Sequence, residues 1–441
     1  MASLHGTPES NSEKPRSLDA APGQTEVYII GGEDNSPRFD GGLRAWANIV
    51  GGCLALTTTF GYANSFGVFQ DIYTRSHAAS TSAVSWIGST QLFLLLSMSL
   101  PAGKLLDKGY FRQTFLAGSL IYVFSLFMVS LAHPDKYYQI YLSQGIGMGV
   151  GAGLLYTPSV AVQAHYWRRK RAMAMGIVAS GTSIGGVIFP IMLNRLFSNS
   201  VGFAWGVRAS AFLVLGLLIP ANLLMSDRPL LKKEPRPKPN MKAILTDVPY
   251  IIAVIAGFFI QWGLYFPFFY LQLYSILHGV DPNTAFYTIT MLNAGSIPGR
   301  ILPAILADYI GPYNAAVPCI VGLAVLSFAL FGIHTAAGII VFALLYGFTS
   351  GACGCFVSVC LRRDLTSCIV LSLCAPAIAV YAKTQDELGI RFGIMFFVSS
   401  FGTLVGNPAI GALLGNTFSW WKAFIFSGVS KFIVVIRNKN V

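Results

Sequence analysis

Residues 166–194 read YWRRKRAMAMGIVASGTSIGGVIFPIMLN. Four consecutive bases, Arg168–Arg171, abut 23 residues that carry no charge. At 1.5 Å per residue those 23 make a helix of about 34 Å. The hydrocarbon core of a bilayer is about 30 Å thick. A helix this long in water would need a polar stripe, and this one has none. The stretch therefore reads as a membrane-spanning helix with a basic anchor at its inner edge, and the bases read as a topology signal before a ligand site.

Working outward, the same pattern recurs. Apolar runs lie at about 46–69, 83–103, 113–132, 138–164, 172–194, 205–225, 249–274, 284–307, 313–333, 336–361, 390–414 and 418–436. The composition agrees: 54% of the 441 residues are hydrophobic and 11% are charged, against roughly 25% charged in soluble domains. An ordinary soluble enzyme is excluded, because no soluble fold hides that much apolar surface. The fold expected is an all-α membrane protein with twelve transmembrane helices. The Pro- and Lys-rich stretch 226–248 divides them six and six. Residues 1–40, rich in Ser, Pro, Gly and acids, read as a disordered cytoplasmic tail. Residues 41–226 and 249–441 read as two six-helix bundles joined by a cytoplasmic linker at 227–248.

The net charge is +12, and its bases fall in short loops. Lys104, Lys108 and Arg112, then Arg168–Arg171, then Arg228, Lys232, Lys233, Arg236, Lys238 and Lys242 occupy three loops on one side. The opposite loops of the first half hold Arg75, Lys136 and Arg195. This bias puts both termini in the cytoplasm. It also reads as orientation in a lipid bilayer rather than as a nucleic-acid surface. The Cys353-x-Cys355 and Cys355-x₄-Cys360 spacings lack a second pair at finger spacing, so no metal site is expected.

The halves echo each other. Pro101-Ala102-Gly103-Lys104-Leu105-Leu106-Asp107-Lys108-Gly109 follows the second run, and Pro303-Ala304-Ile305-Leu306-Ala307-Asp308-Tyr309-Ile310-Gly311 follows the eighth. Parallel repeats about a midplane site suggest alternating access. In the fourth run, Gly145, Gly149 and Gly153 share one helical face, so a neighbouring helix can approach closely. A nucleotide-binding reading fails, since no strand precedes these glycines and no G-x-G-x-x-G register occurs. No cofactor is expected. One ionisable residue stands well inside an apolar run: Arg300, in Asn293-Ala294-Gly295-Ser296-Ile297-Pro298-Gly299-Arg300. Insertion of a mid-helix arginine costs about 2.5–3.5 kcal/mol, so it marks a pathway or a partner. Its planar fork fits a carboxylate. Snorkelling toward Asp308 is the competing reading, across about 12 Å of helix.

Asp40-Gly41-Gly42-Leu43-Arg44-Ala45-Trp46 before the first helix and Tyr166–Gly181 leading into the fifth resemble the major facilitator superfamily, and within it the fungal branch of the monocarboxylate porter family. The resemblance covers about 40–352 and 375–425. It implies the major facilitator fold and alternating access. It also implies a substrate-carboxylate contact at Arg300 and a charge cluster at Asp107, Lys108, Arg112 and Asp308 that latches the halves. A solvated loop that only sets topology is the plainer reading of that cluster. The animal members' acid one turn before the arginine is Ser296 here, and their helix 1 lysine is Asn64. Asn64, Asn293 and Ser296 could supply neutral hydrogen bonds to cargo, or glue helices together. Proton symport lacks its usual carriers. The aromatics of helix 7 (Trp262, Tyr265, Phe266, Phe268, Phe269, Tyr270) either line a cavity or pack against lipid and neighbours.

Residues 353–373 interrupt helix 10 with Arg362-Arg363-Asp364 and most of the cysteines. Removing them restores one family-like helix, so we read them as an anomalous insertion, such as a retained intron. After Ser430 the chain also departs from the family, with Lys431 interrupting helix 12. The expected function is a plasma-membrane transporter of small organic anions, monocarboxylate-like or an acidic secondary metabolite, by uptake or efflux. A non-transporting membrane sensor or inactive product is the alternative. An accessory membrane subunit is left open. An enzyme finds no support, because no catalytic constellation occurs at the helix ends.

Overall fold

Helical segments follow one another from Leu43 onward in the computed structural model, which describes residues 41–76, 81–167, 170–198, 202–227, 241–310, 312–355, 385–414, 420–422 and 425–428. The first rod is interrupted: α1 (Leu43–Thr58), α2 (Phe60–Ala63) and α3 (Phe66–Arg75). The cause is local. Thr58 and Thr59 both donate their hydroxyls back to the carbonyl of Ala55, and Thr57 donates to that of Cys53. Such back-bonding competes with the helix ladder and bends it. The second rod is α4 (Thr81–Ser97) with α5 (Ser99–Asp107), and the third is α6 (Phe111–Leu131). The fourth joins α7 (Tyr137–Ile140), a π-helical turn at Tyr141–Gly147 and α8 (Met148–Ala161). Then come α9 (Arg171–Ser198) and α10 (Gly202–Leu224).

After the short α11 (Met241–Leu245), α12 (Val248–Leu264) and α13 (Phe266–Leu277) form the seventh rod. Pro267 sits at the N-terminal end of α13, where a missing N–H is tolerated. Next are α14 (Pro282–Ile310), α15 (Pro312–Ala329), α16 (Ala336–Cys355) and α17 (Gln385–Leu414). Eleven of the expected spans are thus visible among the described residues, with no strand. Of the twelfth, only 420–422 and 425–428 are described, and they are helical. The tail at 1–40, most of the linker and the insertion beyond Cys355 lie outside the described residues.

Burial is inverted relative to a soluble helix. Along α6, Leu116, Leu120 and Phe124 are outward at i, i+4 and i+8, with Leu120 and Phe124 each 63% exposed. Ser119, Tyr122 and Ser125 of the same helix are buried. An apolar exterior over a hydroxyl-bearing interior is what a lipid solvent selects. Among the described residues, five stretches, Phe111–Leu131 and Arg171–Phe197 included, are long and apolar enough to cross a bilayer.

Glycines set the helix spacing. In the fourth rod, Gly145, Gly149 and Gly153 face the second rod at Ile87, Gln91 and Leu95. The alternate pair, Gly147 and Gly151, faces α6 at Ser125 and Tyr122. One helix thus approaches two neighbours closely, on two faces. Helix α9 repeats the device. Gly181 and Gly185 meet the backbone of α1 at Cys53 and Thr57, whereas Gly176 meets Arg300 and Ala304 of α14, and Gly186 meets Asn293. The apolar core is split accordingly. One cluster gathers residues between Ala45 and Met225 plus Tyr265; another gathers residues between Ile260 and Ile410 plus Ala172 and Met175. Helices α9 and α14 bridge the two, and α17 packs along α4 and α5.

Candidate functional site

Between the two clusters lies a cavity walled by residues from both halves of the sequence. Phe60, Asn64, Tyr156 and Thr182 come from the first half. Gln261, Tyr265, Phe268, Arg300, Phe396 and Ser399 come from the second. The α9–α14 crossing positions the cation. Gly176 leaves no side chain between the helices at the level of the Arg300 backbone. The Arg300 side chain then reaches across to α9.

Its hydrogen bonds can be counted. Arg300 Nε donates to Ser296 Oγ one turn earlier, at 3.2 Å. Arg300 Nη1 donates to the Ala179 carbonyl at 2.6 Å and to Thr182 Oγ1. A guanidinium has five N–H donors. Nη2 makes no hydrogen bond among the described residues, so its two N–H groups are left for whatever enters. All the partners are neutral, and the described ion pairs do not involve this residue. A positive charge held by dipoles alone in a low-dielectric wall attracts an anion more strongly than one already paired with a carboxylate. Arg300 stays at the level of the cavity; it does not snorkel toward Asp308.

The other sequence-predicted contacts divide. Asn64 lines the cavity and donates through Nδ2 to Asn293 Oδ1 at 3.3 Å, a bond that crosses between the halves. Asn293 is 1% exposed, fills the space Gly186 leaves, and donates to the Ile289 carbonyl at 3.0 Å. Ser296 is fully buried and orients Arg300 from behind. Of the helix 7 aromatics, Tyr265 and Phe268 line the cavity. Trp262 instead packs on Phe426 at 5.1 Å, and Phe266 stacks on Tyr270 at 5.8 Å.

At the basic end of the bundle, the carboxylate of Asp308 caps α9. Its two oxygens accept from the backbone N–H groups of Ala172, at 3.1 Å, and Met173, at 3.0 Å. These are first-turn donors without an intrahelical partner, at the positive end of the helix dipole. In the first-half copy of the motif, α5 ends at Asp107 and Gly109 turns the chain with φ 85. The Asp107 side chain is outside the described residues, and Lys108 and Arg112 are exposed. Leu100, in the same motif region, packs against Gly393 of α17.

A second internal arginine escaped the sequence reading. Arg391 is 2% exposed, pairs through Nη1 with Asp247 Oδ2 at 2.8 Å and lies over the Tyr250 ring at 4.9 Å. Tyr250 donates its hydroxyl to the Arg391 carbonyl at 2.8 Å. Arg391 stands at the second position of the apolar run 390–414, where a charge reads as a helix end, but helix α17 begins at Gln385 and places it inside the helix. Tyr156, Thr182, Gln261 and Ser399 also went unread. Small polar and aromatic side chains on long helices carry no signal of which face meets a cavity. Among the described residues no cluster of His, Cys, Asp or Glu could hold a metal ion.

Comparison with known proteins bears on this arrangement. Residues 51–367 match the family described as Major Facilitator Superfamily. The aspyridones efflux protein of Emericella nidulans is 38% identical over 402 residues, covering 89% of this chain and 77% of that protein. An MFS-type transporter of an Ophiocordyceps species is 40% identical, covering 87% and 81%. The agnestins efflux protein of Paecilomyces divaricatus is 35% identical, covering 98% and 96%. Among solved structures, the transporter FucP in its outward conformation aligns with TM-score 0.61 at 15% identity, covering 89% of this chain and 99% of that one. That likeness concerns the fold.

Proposed function

This chain belongs to the Major Facilitator Superfamily, and we propose that it exports small organic anions, acidic secondary metabolites among them, by alternating access. It is a multi-pass membrane transporter, not an enzyme. The single observation that carries the anion reading is the Arg300 guanidinium, which lines a cavity shared by both halves and whose Nη2 makes no hydrogen bond among the described residues. The relatives called efflux proteins support export as the direction. The resemblance to monocarboxylate porters supports a carboxylate, or an equivalent delocalised anion, as the group recognised.

In this reading the bundles 41–226 and 249–441 rock about the cavity in the cell membrane, with the basic end and both termini in the cytoplasm. Arg300 has two duties. Through Nη1 it ties α14 to α9 at Ala179 and Thr182; through Nη2 it meets the cargo. A bound anion competes with the neutral acceptors for the guanidinium. It therefore loosens the tie as it binds, and the α9–α14 contact opens toward the basic side. Asp308 on the α9 N-terminus supports the closed arrangement until then. The cavity lining has no carboxylate or imidazole among the described residues. We therefore assign the drive to the anion's own gradient.

The test is transport of labelled organic acids by the purified protein in vesicles, with and without a pH gradient, for the parent and for Arg300→Ala. Charge-assisted hydrogen bonds contribute about 1.5–3 kcal/mol, so the variant should lose roughly tenfold to a hundredfold in rate at low acid concentration. Equal rates for the two proteins contradict the anion contact.

A further inference from the structure

We infer that the cargo is a flat, conjugated ring acid rather than a short aliphatic one. The inference rests on the anion reading of Arg300 and specifies what accompanies the acid group. Five aromatic side chains line the cavity and follow one another around it. Phe396 of α17 lies beside Tyr156 of α8, with ring centroids 6.3 Å apart. Tyr156 lies 6.0 Å from Phe60 of α2, and Phe60 lies 6.5 Å from Tyr265. Tyr265 lies 6.0 Å from Phe268 of α13. The wall therefore draws on both halves and on four rods, so a molecule within it touches rings that move apart when the halves rock.

Aliphatic side chains bury an aliphatic tail equally well. Aromatic walls add offset and edge-to-face geometry, which only a planar ring partner exploits. The polar atoms suit a ring acid with a second substituent. Ser399 Oγ, on a residue 2% exposed in the lining, has no hydrogen-bond partner among the described residues. It offers one hydroxyl to an oxygen elsewhere on the molecule that Arg300 holds. Gly257 keeps that corner open, because a side chain there would press on Met395 and Ser399.

The experiment uses the full chain in proteoliposomes with three labelled probes: naphthoate, its fully saturated decahydro counterpart, and the neutral naphthamide. Uptake and equilibrium binding are both measured. Naphthoate should bind and move roughly tenfold better than the saturated acid, the sum of about two favourable ring contacts. In Tyr156→Leu and Phe60→Leu that preference should fall below about threefold. Should a variant fail to insert, the parent's preference alone decides. Equal handling of the two acids by the parent overturns the ring assignment and leaves anion transport standing. Naphthamide matching naphthoate overturns the role of Arg300 and leaves the aromatic wall. Failure to bind either acid overturns both.

Discussion

Arg391 is withdrawn from water and Arg300 only partly so, and their partners separate their roles. Arg391 is neutralised by Asp247 and stacked on Tyr250, a closed arrangement that ties the start of α12 to α17. Arg300 has hydroxyl and carbonyl partners and spare donors. Asp247→Asn strands a guanidinium in a nearly dry site. Removing one partner of a fully buried pair costs about 3–5 kcal/mol. The Asp247 side chain is 22% exposed, so we expect about 2 kcal/mol after screening. The loss should appear as a lower melting temperature in detergent, with cargo affinity in the folded fraction unchanged; an unaltered melting temperature contradicts the structural role. Arg300 was legible from sequence because a charge inside an apolar run is conspicuous. Arg391 was not, because it stands at the start of the apolar run, where a charge reads as a helix end, and α17 begins before it. Asn293 and Ser296 were legible as polar residues, but only the packing separates them from Asn64. They support from behind, while Asn64 reaches the cavity wall.

Helix α9 holds the account together at the next scale. Its first turn is capped by Asp308, its middle accepts Arg300, and two sets of glycines let it touch α1 on one side and α14 on the other. A Cβ at Gly176 would press on the Arg300 backbone and on Ala304, whereas one at Gly181 would press on the backbone of α1 at Cys53. The two positions should therefore fail differently. Gly181→Val overpacks the interior of one half, at roughly 1–3 kcal/mol, and lowers the melting temperature. Gly176→Val wedges apart helices that separate in the proposed cycle, so it should leave folding closer to intact. It should raise thiol-reagent labelling of a cysteine introduced near Ala304. Identical melting curves and identical labelling for the two variants would contradict this division. The shared face of Gly145, Gly149 and Gly153 was readable as i, i+4 spacing. The second face, Gly147 and Gly151, was not, because it depends on where α6 lies and on the π-helical turn that shifts the register.

For the whole molecule, the apolar runs made most of the architecture legible: eleven rods appear near their expected places, and their inverted burial fits lipid as solvent. Which rods face each other across the cavity is a matter of long-range packing and was invisible in the runs. Asp308 shows the difference. Its repeat position was readable, but its partner, the N-terminus of α9 in the other half, was not. Asp308→Asn removes the charge from that helix end and keeps only one acceptor oxygen. With about 0.3–2 kcal/mol at stake, the population open at the basic end should rise by roughly twofold to thirtyfold. Spin-label distances between the ends of α5 and α17 read that population, and an unchanged distance distribution contradicts the latch. Equilibrium binding reports on the cavity most directly. Labelled naphthoate should bind the parent protein in detergent and bind Arg300→Gln at least about tenfold more weakly, with the neutral amide indifferent to the change. Equal affinity of parent and variant for the acid would contradict the assignment of Arg300 as the anion contact.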